Sequence, residues 1–219
     1  MGHRKRLRKR FLEGGRSAVA DYELLELVLF RAMPQRDMKP TAKAVLARFG
    51  TFSEALNAPD RELMTINGIG EAAIAEFRIV RAAALQFLRD EVVERPLLTS
   101  WDGVLDYCRA SMSYESREQF RVIFLDKRNR IITDEVQQVG TVDHTPVYTR
   151  EVMKRALELS ATALILVHNH PSGDPEPSRA DIAMTKLIAD TAKNLGIVIH
   201  DHIVIGREGH VSFKAKGLL

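Results

Sequence analysis

One segment constrains this chain more than any other: the apolar run Ala163 to Val167 ends in His168, and two residues on stands His170. A run this short and this apolar, followed by turn residues, reads as a strand buried on both faces. His168 and His170 are at i and i+2, so in extended chain both imidazoles leave one face, about 6.5–7 Å apart at Cα. Pro171 and Gly173 then turn the chain, Pro175 and Pro177 stiffen the return, and Ser178 begins a helix whose first turn carries Asp181. Asp181 can therefore reach back to the strand end. Two imidazoles and one carboxylate hold a zinc ion and leave a fourth tetrahedral position for water, which separates catalytic from structural zinc. His-x-His alone also occurs in strands that bind nothing, and Ser178 with Asp181 forms a Ser-x-x-acid helix cap with no metal involved. The two roles are compatible, because a cap holds Asp181 rigidly.

Composition narrows the rest. Cys108 is the only cysteine, so there is no internal disulfide and no thiolate cage, and any metal is held by His and carboxylate. Hydrophobic residues at 45% and charged residues at 28% suit a globular chain with a real core. No apolar run approaches the roughly 20 residues of a membrane span. The N-terminal stretch is basic without an apolar segment behind it, so no secretory signal is visible and the chain reads as cytoplasmic, with no membrane partner. Arg4, Lys5, Arg6, Arg8, Lys9 and Arg10 crowd the first ten positions. They read as a solvated arm, or as a tail that attracts the phosphate backbone of DNA without sequence preference.

Two textures divide the chain near residue 95, giving a small all-helical domain over 1–95 and an α/β domain over 96–219. In the first, Asp21 caps a helix carrying Leu24, Leu25, Leu27, Val28 and Leu29. Ala42 to Phe49 makes a second helix, which Gly50 ends. Short helices follow from Thr51 and Pro59, then a long one from Glu71 to about Val92. Ile66-Asn-Gly-Ile-Gly70 before that helix resembles the hairpin of a helix-hairpin-helix module. There Gly68 and Gly70 would let a phosphate approach the helix amides; a Gly-x-Gly can equally close a purely structural hairpin. The polar stretch Glu91 to Thr99 is the linker. Beyond it the pattern predicts a helix over 100–112, strands over 120–126 and 131–139, a helix over 150–159, the strand ending at His168, a helix over 179–195, and strands over 197–205 and 211–213. That order gives one mixed sheet with helices on its faces.

The string His168-Asn-His170-Pro-Ser-Gly-Asp-Pro-x-Pro-Ser178-x-x-Asp181 resembles the JAMM motif of MPN-type metalloproteases. In its His-Asn-His-Pro-Ser-Gly form it resembles the RadC family. The likeness extends to Phe120-Arg-Val-Ile-Phe-Leu-Asp126, Gly140-Thr141, Arg150-Glu151-Val152, Asp201-His202 and the Gly-Ile-Gly hairpin, covering nearly the whole chain. It departs at Tyr148-Thr149, where many relatives carry His-Pro. The resemblance implies a three-layer α/β/α MPN fold of the cytidine-deaminase type for the second domain. It also implies Zn²⁺ on His168, His170 and Asp181, with Ser178 hydrogen-bonding the water or the oxyanion. Glu118 matches the family's Glu-x-Phe position as the base that takes the water's proton; Glu135, on a neighbouring strand, is the runner-up.

The implied activity is a zinc-dependent metallopeptidase or isopeptidase-like hydrolase acting on a peptide or isopeptide. The alternative is a DNA-associated repair or recombination accessory protein whose metal site is structural or vestigial. Nucleoside deamination is excluded by the lack of Cys-x-x-Cys. His200 and His202 read mainly as strand residues, with support of a metal ligand from behind as the lesser reading, His144 as an exposed loop residue, Cys108 as a packing residue, and Asp174 and Glu176 as solvated charges in the site loop.

Overall fold

The computed structural model describes residues 2–93, 101–140 and 148–219. Its contacts divide into two units, Met1–Ala84 and Leu85–Leu219. The linker proper and the boundary near residue 95 lie outside the described residues, as do Thr141 and His144.

The first unit is helical: α1 (His3–Gly14), α2 (Asp21–Ala32), α3 (Lys39–Phe49), α4 (Phe52–Asn57), α5 (Asp60–Leu63) and the first part of α6 (Glu71–Val93). Leu25, Leu29, Phe30, Val45, Leu63, Ile74 and Phe77 form its core. Thr51 starts α4 by accepting the Glu54 N–H on Oγ1 at 3.1 Å, while Glu54 accepts the Thr51 N–H at 3.0 Å, a reciprocal cap. At α2 the expected cap shifts by one residue: Asp21 is the first helical residue, and Glu23 reaches back to the Ala20 N–H at 3.0 Å.

The basic N-terminus is not a solvated arm. It is α1, whose Leu7 is buried in the helical core. Arg4 donates to the carbonyls of Phe30, Met33 and Arg36, satisfying the carbonyl end of α2. Arg4 also lies over the Phe30 ring, 4.4 Å from its centroid. Composition alone missed this because Leu7 and Phe11 supply a narrow apolar stripe among the charges. The hairpin before α6 packs against its own unit: Thr41 Oγ1 donates to the Asn67 carbonyl at 3.2 Å. Gly68 has φ +93°, and a Cβ there would lie 2.7 Å from Thr41 Oγ1, so only glycine fits.

The second unit holds the last turns of α6, then α7 (Trp101–Met112), β1 (Gln119–Leu125), β2 (Ile131–Val139), α8 (Thr149–Glu158), β3 (Ala163–Asn169), α9 (Arg179–Asn194), β4 (Val198–Ile205) and β5 (His210–Ser212). The five strands form one mixed sheet in the order β2-β1-β3-β4-β5; β3 runs antiparallel to β1 and parallel to β4. Alternation divides the strands between two layers. Ile123, Leu125, Ile165, Val167, Ile203 and Ile205 pack with Val104, Cys108 and Met112 of α7. Phe120, Val122, Phe124, Leu164 and Leu166 pack with Val152 and Met153 of α8 and Ile188 and Ala192 of α9. The result is an α/β/α sandwich, preceded in the chain by the helical unit. Among the described residues no helix is long and apolar enough to cross a membrane.

One polar cluster sits on the α7 side. Asp134 of β2 accepts from Tyr107 Oη at 2.7 Å, from Arg89 Nε at 3.0 Å, and from Arg121. Burial opposes ionisation of this carboxyl, but the Tyr107 hydroxyl and the two guanidinium groups outweigh it and hold Asp134 below the usual carboxylate range. A carboxyl whose pKa falls on folding stabilises the fold above its unfolded pKa of about 3.9, and that contribution is lost as pH drops through the folded value. Asp134→Asn should therefore cost about 1–3 kcal/mol at neutral pH in urea unfolding. The gap from wild type should close progressively below about pH 4; a pH-independent gap would mean that charge is not what the cluster uses.

Candidate metal centre

The alternation of β3 aims its last two side chains to opposite sides. His168 follows Leu164 and Leu166 toward the α9 layer, and Asn169 points the other way. Both are buried, at 1% exposure each. His170 is the first residue past the strand, and its N–H is held by the Ile205 carbonyl at 2.9 Å. The chain from Pro171 to Pro177 then folds against the turn at Gly206. A Cβ on Gly206 would overlap the Gly173 carbonyl and lie 2.9 Å from Pro175 N, so this close approach also needs glycine. Ser178 starts α9: its Oγ accepts the Asp181 N–H at 3.1 Å, and Asp181 Oδ2 accepts the Ser178 N–H at 2.7 Å. That reciprocal cap turns the Asp181 carboxylate back over the N-terminus of α9, toward the strand end.

His168, His170 and Asp181 meet there. Their ligand atoms all lie within 4.8 Å of one another. Nε2 of His168 is 3.0 Å from Nε2 of His170, and each is 3.5 Å from an Asp181 oxygen. Nδ1 of His170 faces the Asp174 carbonyl at 2.9 Å. A carbonyl only accepts, so Nδ1 carries hydrogen and Nε2 faces His168 and Asp181; in the neutral form of the ring Nε2 offers them a lone pair. A cluster of this kind suits a cation, either a proton shared between the groups or a metal ion. Two nitrogens and a carboxylate oxygen are the donor set that a divalent transition metal takes with a position left for water.

The same groups shift one another's protonation. Burial opposes ionisation of Asp181, but the two imidazoles and Ser178 outweigh it and hold the carboxyl well below the usual carboxylate range. The Asp181 carboxylate raises the His170 pKa against the effect of burial, with smaller contributions from the Asp174 carbonyl and Glu118. Burial above all, then the neighbouring His168, pushes His202 well below the usual imidazole value.

Glu118 lies just before β1, half-buried. Phe120 is paired with His168 across the antiparallel ladder, so the chain two residues upstream runs beside His170. Its charge is felt there. Asn169 holds this segment: Nδ2 donates to the carbonyls of Arg117 at 3.1 Å and Glu115 at 3.4 Å, and Oδ1 accepts the Gln119 N–H at 2.8 Å. Glu135, the alternative base, is elsewhere. It lies on the edge strand β2 and is engaged by both Nε and Nη2 of Arg155, the closest contact being 2.7 Å.

The remaining sequence candidates fall outside the cluster. Gly68 and Gly70 belong to the helical unit, and Cys108 is fully buried in α7, its thiol pushed up to about 12 by burial. Glu176 pairs with Lys216, and Asp174 matters through its backbone carbonyl rather than its charge. Tyr148 and Thr149 open α8, with the Tyr148 ring exposed. His200 and His202 separate because a bulge in β4 shifts the register between Leu164 and Ile165 of β3. His200 turns toward Asn129, 2.7 Å away. His202 is more than a strand residue: it is fully buried with Nε2 2.7 Å from Nδ1 of His168. Simple alternation along β4 would have put both on one face. For Asn169 the signal was available, since an amide at a buried strand end must find partners.

A mixed sheet between helical layers, whose central strand ends in His-x-His and whose next helix returns a capped Asp, defines a JAB/MPN-type domain. Residues 98–218 match the RadC-like JAB domain model and residues 1–75 match the UPF0758 N-terminal model. The chain belongs to the RadC family.

The Ser178 cap is directly testable. Ser178→Ala should lower stability by about 1 kcal/mol in denaturant unfolding; an unchanged midpoint and slope would show that the cap does not hold the start of α9.

Proposed function

We propose that the protein is a zinc-dependent hydrolase that cleaves an amide bond in a peptide or isopeptide. The observation that carries this reading is the convergence of His168, His170 and Asp181 with Glu118 alongside. Membership of a JAB family, a group that includes hydrolases, adds to it. Zinc on these three residues would supply Lewis acidity, making a water acidic near neutral pH and polarising a carbonyl. The protein's own groups do the rest. Glu118 accepts the proton of the attacking water and delivers it to the leaving amine. Ser178 uses one lone pair on the Asp181 N–H, which leaves its hydroxyl proton free for the oxygen of the scissile carbonyl. Asn169 fixes the segment that carries Glu118.

Protein purified with zinc should hold about one ion per chain, and His168→Ala should lose it; metal-free wild-type protein after zinc loading would overturn the assignment. Glu118→Gln should keep the zinc and lower hydrolysis of a fluorogenic peptide library about 10²–10⁴-fold. Full turnover by that variant would remove Glu118 from the mechanism.

A second reading, contact with DNA through the helical unit, draws support from α1, where Lys5, Arg6, Arg8, Lys9 and Arg10 are exposed on one short helix. Replacing Lys5, Arg8 and Lys9 with Gln should then flatten the salt dependence of duplex DNA binding, by about 0.9 in the log–log slope for each phosphate no longer neutralised. An unchanged slope would exclude α1 as the DNA-binding element.

A further inference from the structure

Behind His168 runs a chain of hydrogen bonds that ends on the backbone of another ligand. Thr185, one turn after Asp181 in α9, has Oγ1 2.6 Å from the Asp181 carbonyl oxygen and 2.6 Å from Nδ1 of His202. Nε2 of His202 is in turn 2.7 Å from Nδ1 of His168. All the side chains of this chain are buried: His168 at 1% exposure, Thr185 and His202 at none.

The direction of each bond follows from counting protons. A carbonyl oxygen can only accept, so the single Thr185 hydroxyl proton goes to the Asp181 carbonyl. Toward His202 the hydroxyl can then only accept, and His202 must carry hydrogen on Nδ1. His202 is stacked on Phe213 with ring centroids 4.6 Å apart and meets the edge of Phe120 at 5.9 Å. A fully buried ring in that aromatic setting is neutral, so its Nε2 is an acceptor and takes the Nδ1 hydrogen of His168. With its one hydrogen so placed, a neutral His168 presents a bare Nε2, the atom that faces His170 and Asp181.

We propose that Thr185 and His202 are positioning residues that impose the metal-ready tautomer on His168 and tie it to the helix carrying Asp181. The proposal rests on the reading of His168, His170 and Asp181 as metal ligands. Thr185 acts on two of those ligands at once: its proton holds the Asp181 backbone, and its lone pair sets the hydrogen pattern that reaches His168. An orienting partner behind a ligating imidazole is commonly a carboxylate or a carbonyl. Here a neutral histidine takes that place and needs the threonine to define its own tautomer.

The test has two readouts, neither of which uses hydrolysis. Zinc affinity, measured at fixed pH by competition with a chromophoric chelator, should fall about 10–100-fold in Thr185→Val, which keeps the shape and removes the hydroxyl. Thr185→Ser, which restores the hydroxyl, should recover most of that loss. Thr185→Val that binds zinc as tightly as wild type, or Thr185→Ser that is no better than Thr185→Val, would overturn the proposal. Long-range ¹H–¹⁵N spectra of the wild-type imidazoles provide the second readout. His202 should carry its hydrogen on Nδ1 with Nε2 bare, and hydrogen on Nε2 would overturn the relay. Wild-type protein that binds no zinc at all would refute the metal reading instead, and the His202 spectrum of that zinc-free protein would still decide the relay.

Discussion

The buried strand β3 governs the rest of the second unit. It is paired on both edges and covered on both faces, so none of its residues reaches solvent. Apolar residues fill it without cost, but its last two positions are a histidine and an asparagine, whose polar atoms cannot be left unpaired. Each is resolved on its own side of the sheet. His168 turns toward α9 and meets His202, His170 and Asp181. Asn169 turns toward α7 and closes on the backbone that leads into β1. One pair of neighbouring residues thereby fixes both the imidazole cluster and the approach of Glu118.

The other half of the site depends on how the chain returns from His170 to α9. The prolines limit the paths open to the loop, and the absence of a side chain on Gly206 lets its backbone settle against the end of β4. The helix that follows is started by a cap in which Ser178 and Asp181 satisfy each other's amides. Asp181 therefore serves the fold and the site together. The same carboxylate that closes a helix N-terminus faces two imidazoles, and their attraction keeps it ionised despite its burial.

Two imidazole nitrogens and a carboxylate are gathered here within 4.8 Å of one another. Around this cluster the surroundings direct hydrogens away from the centre: the Asp174 carbonyl draws the hydrogen of His170, and His202 faces Nδ1 of His168. Both rings are held from behind, which turns their inner nitrogens toward Asp181. The helical unit is organised by its own apolar core and by Arg4, which closes the end of α2.

Much of this was legible in the residues themselves. The string from Ala163 to Asp181 carries its own local structure: an apolar run for a central strand, i and i+2 imidazoles for one face, prolines and glycine for the return, and Ser-x-x-Asp for the cap. These are short-range effects, decided by alternation, turn chemistry and capping, and the strands and helices of the second unit begin and end within a residue or two of where the pattern puts them. The N-terminal charges misled because composition does not reveal that Leu7 finds a core. His202 was hidden for a different reason. Its partnership with His168 spans 34 residues and depends on a bulge that sends His200 to one face and His202 to the other. The engagement of Glu135 by Arg155 and the clasp of Asn169 on the Glu118 segment are likewise contacts between elements distant in sequence. The sequence alone determined the candidate ligands, because they sit on one continuous stretch whose local geometry aims them together. Only the tertiary structure decided what stands behind them, because strand register and sheet order arise from packing that no local pattern encodes.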